Sequence, residues 1–121
     1  MELAGLGIDE SRLLDMVRRL QRLPSRLVSA DTMLTAADFL VMMDTSGGSR
    51  TVTLPLAAQH PNQRYEIKKT SASNTLTVQR SGSDTIDGAT TKAWTTLNQT
   101  YGFQSAIVTA PSTWGWVVTH G

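Results

Sequence analysis

The chain has 121 residues, a formal net charge of +1, 17% charged residues and no cysteine. That is room for one domain with a short appendage, and so even a charge balance gives no field to gather nucleic acid or an anionic membrane. Disulfides, thiolate catalysis and Cys-ligated zinc are excluded, Met1 to Gly7 is neither basic nor continuously apolar as a secretory signal would be, and the longest apolar run, Phe39 to Met43, falls far short of the roughly 20 residues that span a bilayer.

Threonine is absent before Thr32 and plentiful after it, while the opening thirty residues are rich in Leu and Arg. Leu and Arg lose little rotamer freedom in a helix, whereas β-branched Thr favours extended backbone. The pattern predicts a helix over residues 8–23. Asp9 is placed as its N-cap, and Glu10 puts negative charge beside the free N–H groups. Arg18, Arg19 and Arg22 sit in the last turns, where the dipole favours cations. Asp15 and Arg19 form an i,i+4 pair worth about 0.3 kcal/mol. Pro24 ends or kinks the helix.

Leu13, Met16, Leu20, Leu23 and Leu27 alternate by three and four, the a/d spacing of a coiled coil, and Val17 widens the stripe in the way three strands favour over two. These five residues are the expected oligomerisation seam. An amphipathic helix docked on its own β-body would show a similar stripe, and a basic helix could lie on a membrane, although Asp9, Glu10 and Asp15 dilute that signal. Two or three heptads are too few to hold alone, so the body would have to trimerise as well.

After an expected linker, Ser25 to Asp31, short alternating segments are separated by turn formers. Phe39 to Met43 reads as a strand closed by Asp44-Thr45-Ser46-Gly47-Gly48. Thr51 to Leu54 places Val52 and Leu54 on one face and stops at Pro55. Tyr65 to Lys68 turns Tyr65 and Ile67 inward, and Leu76 and Val78 alternate with Thr75, Thr77 and Gln79. A turn at Ser81-Gly82-Ser83 precedes a short run around Ile86 that ends at Gly88. Trp94 to Leu97, Ala106 to Val108 and Trp114 to Thr119 complete the set. About eight short strands at roughly ten-residue spacing suggest an antiparallel sandwich.

The order Thr51-Val52-Thr53-Leu54-Pro55, Tyr65-Glu66-Ile67-Lys68-Lys69, Leu76-Thr77-Val78 and Asp84-Thr85-Ile86-Asp87-Gly88, then Tyr101 and Trp114, resembles the small β-module of bacteriophage tail-fibre, spike and head-fibre proteins. The resemblance covers residues 35 to 118. Asn62-Gln63 stands where such modules usually place a Gly, and Pro111-Ser112-Thr113 replaces their Gly-containing turn before the Trp. The resemblance implies a virion structural protein, commonly trimeric.

Catalytic chemistry finds no constellation. His60 lies in a Gln-His-Pro loop and His120 near the last residue; neither belongs to a nucleophile or metal motif. Asp84 and Asp87 stand among turn formers, where Asp bonds its neighbouring backbone. Gly47-Gly48 lacks the following helix and lysine of a phosphate cradle. No enzyme, metal or cofactor is expected. Trp94, Tyr101, Phe103, Trp114 and Trp116 crowd the last third. Trp94 and Tyr101 are the candidate glycan contacts, while Trp114 and Trp116 share one face and are expected in the core.

The expected fold is therefore mainly β: an N-terminal anchor and short coiled-coil helix over residues 1–30, then an antiparallel β-sandwich or jelly-roll-like knob over residues 31–121, trimeric. The expected role is a phage head fibre or capsid decoration protein located in the virion. Its N-terminus would attach to a capsid or tail protein, with neither nucleic acid nor membrane insertion involved. The alternative is the receptor-binding tip of a tail fibre that contacts host surface glycans. A monomeric carbohydrate-binding module and a glycan depolymerase are the more distant rivals.

Overall fold

Pro24 has no N–H to continue a helix, and the residues that follow it are extended. The computed structural model describes Ser11, Leu13, Leu14 and residues 23–121. Within them the strands are β1 (Ser25–Val28), β2 (Thr32–Met33), β3 (Leu40–Met43), β4 (Arg50–Thr53), β5 (Arg64–Lys69), β6 (Leu76–Gln79), β7 (Thr91–Trp94), β8 (Thr100–Thr109) and β9 (Thr113–His120). A single 3-10 turn, Ala57–Gln59, lies between β4 and β5. The mainly β character matches expectation.

Two sheets form, in the orders β1-β3-β5-β8-β9 and β2-β4-β6-β7. The first six strands alternate between them, so the chain winds as a coil. Each strand lies parallel to the one a full winding earlier: Ser25 beside Leu40, Leu40 beside Glu66, Thr32 beside Val52 and Val52 beside Val78. The antiparallel pairs are β5 with β8, β6 with β7 and β8 with β9. This corrects the expected all-antiparallel sandwich. Parallel neighbours need a long crossover, and here the opposite sheet supplies it. The strands are as short as hairpin strands, and the turns between them use the same residues.

The expected linker is also corrected. Ser25–Val28 is an edge strand of the five-stranded sheet, held by Leu40 N–H to the Pro24 carbonyl at 3.1 Å and Asp44 N–H to the Val28 carbonyl at 2.8 Å. Leu27 is therefore in a strand and Leu23 outside any helix, so the heptad count cannot run through them: it crosses Pro24, beyond which there is no helix to carry it. Ser11, Leu13 and Leu14 are helical, with Leu13 the less exposed of the three. Met16 and Leu20 lie outside the described residues, as does most of the expected helix.

The core fills the space between the sheets. One inner face offers Val41, Met43, Tyr65, Ile67, Phe103 and Trp116, and the other Val52, Leu54, Leu76, Val78 and Trp94. The alternation read from sequence at Val52/Leu54, Tyr65/Ile67 and Leu76/Val78 holds. The strand expected at Trp94 to Leu97 instead ends at Trp94, because the chain then turns through Asn98 (φ 61°), whose N–H bonds the Lys69 carbonyl at 2.8 Å.

Local chemistry explains the motif residues. Asn62 has φ 60°, a left-handed conformation that Asn tolerates as Gly does. Ser105, fully buried, fastens the turn at Asn62: its N–H bonds the Gln63 carbonyl, its Oγ donates to the His60 carbonyl, and the Gln63 N–H donates back to Oγ at 3.0 Å. The Asp84-Thr85-Ile86-Asp87-Gly88 stretch is a clip. Ile86 plugs the core, and the Thr85 carbonyl accepts the Trp116 N–H at 2.8 Å. Asp84 Oδ2 accepts the Ala57 N–H at 2.8 Å, and Asp87 Oδ1 accepts the Val118 N–H at 3.1 Å.

Tyr65 gives the fold a measurable pH limit. Its hydroxyl donates to the Thr35 carbonyl at 2.8 Å, and burial, aided by the charge of Asp38, pushes its pKa from 10.0 up to about 12. The folded state therefore keeps a proton that the unfolded chain gives up above its ordinary value. The stabilisation is complete below pH 10 and is lost as pH rises toward about 12. Denaturant midpoints measured across that window should fall for the native chain and fall less for Tyr65→Phe. Equal slopes would contradict this assignment.

Candidate functional site

The first winding, β1 with β2, forms the edge of both sheets. In β1, Pro24 and Val28 direct their carbonyls to β3, so by alternation the backbone groups of Ser25 and Leu27 point away from it. In β2 the Leu34 N–H reaches the Thr53 carbonyl at 2.9 Å, and the groups of Met33 point outward in the same way. Among the described residues no strand pairs with either edge. Apolar side chains accompany these groups: Leu23 is 56% exposed, Leu27 65% and Met33 61%. Leu27 stands beside Met42, and Leu40 shares their outer face, which extends the apolar surface inward.

Natural edges are usually blunted by charge, proline or brevity. Here Pro24 and the short length of both strands do so. The nearby charges are consumed internally: Arg26 pairs with Asp38 at 3.1 Å, and Asp31 Oδ1 accepts the Thr51 N–H at 2.8 Å. The edge therefore combines apolar side chains with outward backbone groups, a surface suited to contact with protein.

The sequence-expected glycan contacts fare differently. Trp94 and Tyr101 do meet, with ring centroids 4.6 Å apart and planes at 59°. Trp94 is only 6% exposed, and its Nε1 donates to the Gln99 carbonyl at 3.1 Å, so its ring offers no face to a sugar. Tyr101 is half-buried, with Lys92 Nζ 4.6 Å from its ring centroid. This corrects the assignment of Trp94: the pair is a packing joint between the end of β7 and the start of β8. Trp116 is in the core as expected, and Trp114 is half-buried against it.

The polar residues are likewise occupied. His60 Nδ1 lies 3.1 Å from the Leu56 carbonyl, and His120 Nε2 is 2.8 Å from Glu66 Oε1. Asp44 Oδ1 accepts the Ser46 N–H at 2.9 Å, which with the Ser46 hydroxyl holds the Asp44 carboxyl below its usual range. No group of three or more His, Cys, Asp or Glu among the described residues could hold a metal ion.

Sequence reasoning missed one buried group. Lys69 is fully buried, and its Nζ donates to the Ser71 carbonyl and to the Ser73 carbonyl at 3.0 Å. Its strand parity with Tyr65 and Ile67 was the available signal. Ser73 O also accepts the Thr45 hydroxyl at 2.6 Å, and Asn74 Nδ2 donates to the Thr45 carbonyl at 2.8 Å. The arrangement ties two loops together.

No protein-family profile matches the chain, and no curated protein matches it.

Proposed function

We propose that this chain is a trimeric virion structural protein, a head fibre or capsid decoration protein whose β-body projects from the particle. The upstream segment would attach it to a capsid or tail protein. The observation that carries this reading is the exposed apolar row at the first winding, Leu23, Leu27 and Met33, lying where the leucine-striped segment enters the sheet. A monomer that left such a row uncovered would present a predicted association site. The order of sequence motifs shared with phage fibre modules points to the same role. The role is mechanical rather than enzymatic: subunits bury apolar surface on one another, and the assembled knob stands outward. Weak contacts from three knobs could then add by avidity.

Sedimentation of the full chain at micromolar concentration tests the reading. The expected species is a trimer, and Leu20→Asp, which sets a charge in the proposed seam, should reduce it to monomer. A native chain that sediments as a monomer would sink the proposal, and with it the fibre role. The receptor-tip alternative has lost Trp94 as a stacking platform.

A further inference from the structure

The end of the body at which β1, β3 and β5 begin carries two features of opposite shape. The first is an arm. Strand β8 is paired with β5 only as far as Gln104 opposite Arg64, with Ser105 N–H reaching the Gln63 carbonyl. Strands β8 and β9 continue to pair with each other through Ile107 opposite Trp114 and Thr109 opposite Thr113. Residues 106–114 thus extend past the sheet as a two-stranded ribbon. Ile107 is 51% exposed and Val108 40%. Ile107 shares a face with Trp114, while Val108 lies over Gly115, where an added Cβ would come within 3.0 Å of its methyl. The ribbon is therefore apolar on both faces. From Ala93 to Thr119 the chain has no Asp, Glu, Lys, Arg or His.

The second feature is a cleft of about 480 Å³ beside the base of that arm, with Leu23, Pro24, Phe39 and Pro61 on its apolar side and Gln63 and Arg64 on its polar side. No residue of the arm lines it. Its acidic group, Asp38, is already committed to Arg26 at 3.1 Å and to the Thr35 N–H at 3.0 Å. An uncharged apolar projection suits the apolar side of this cleft, where the carboxylate is already paired and the remaining charge, Arg64, is on an exposed side chain.

We propose that the arm of one copy seats Ile107 and Val108 in the Leu23–Phe39–Pro61 cleft of the next copy, so that three arms close a ring. The inference rests on the trimer reading above and specifies how the bodies meet. A threefold ring needs two different patches per subunit, because only twofold contacts use one patch against itself; an arm and a cleft are such a pair. A ribbon apolar on both faces fits insertion between two walls better than packing on a flat surface. A stable interface buries about 800 Å² per partner, more than one cleft supplies. Leu23 joins the cleft to the exposed row that continues at Leu27, which gives the contact room to extend.

The test uses full chains and two readouts. Ile107→Asp, at an exposed position, should leave the far-ultraviolet circular dichroism unchanged while the sedimenting mass falls from three chains to one. Because the chain lacks cysteine, Ala37→Cys and Ile107→Cys chains, co-expressed and mildly oxidised, should give a covalent dimer that reductant dissolves, and neither variant alone should do so. A native trimer that survives Ile107→Asp and yields no mixed dimer would overturn the arm-in-cleft contact and leave the trimer standing. A native monomer would overturn both.

Discussion

Trp116→Ala is expected to lower the unfolding free energy by about 3–5 kcal/mol, the range for deleting a large buried aromatic. Native domains hold only about 5–15 kcal/mol in total, so the variant should be close to unfolded at 37 °C. Three contacts converge on this residue. Its ring, fully buried, lies 5.5 Å from that of Tyr65. Its Nε1 donates to the Pro55 carbonyl at 3.1 Å, joining β9 to the chain after β4. Its backbone bonds Thr85 and Asp87 on either side of Ile86, so the clip docks on it. Trp116→Phe separates these terms: most of the packing remains while the Pro55 carbonyl is left without its donor, at a cost of about 1–3 kcal/mol. Denaturant unfolding of both variants checks the order. Equal losses would mean that the hydrogen bond, not the ring, dominates.

Lys69→Met should cost about 2–4 kcal/mol although it replaces a buried charge with an apolar chain of similar length. Burying methionine there is favourable in itself, but the carbonyls of Ser71 and Ser73 lose the ammonium between them in part-buried bonds, and an acceptor left without its donor costs up to about 1–3 kcal/mol. Because the Ser73 carbonyl also accepts the Thr45 hydroxyl, part of the loss is cushioned, which keeps the figure below the sum. Amide exchange would localise the effect: protection should fall at Ser73 and Thr75, whose N–H groups bond the Ser71 and Ser49 hydroxyls, before it falls at Ile67. An unchanged unfolding midpoint would show that this ammonium contributes nothing to the fold.

Strand positions and core residues were legible wherever apolar and polar residues alternate, as at Val52/Leu54 and Leu76/Val78. Parity marked Lys69 too, yet a lysine reads as solvent-facing until the carbonyls that surround it are known. Strand direction was not legible. Asp44 to Gly48 could close a hairpin as readily as carry the chain across to the other sheet, and which of the two happens is decided by contacts between residues a full winding apart. The stripe misled at Leu23 and Leu27, where its spacing continues through Pro24 although the helix cannot. Trp94 shows a further limit: composition marks an aromatic cluster, but its packing in the core, with the indole N–H bonded to the Gln99 carbonyl, depends on contacts that composition does not carry.

The winding course of the first six strands bears on how the molecule is made. As the polypeptide leaves the ribosome, each new pair of strands can settle on the pair before it. The coil stays unsealed until β9 emerges and Trp116 closes over Ile86 and Tyr65. Until β9 pairs with β8 the interior stays open along one side, and that pairing ends its exposure to wrong partners.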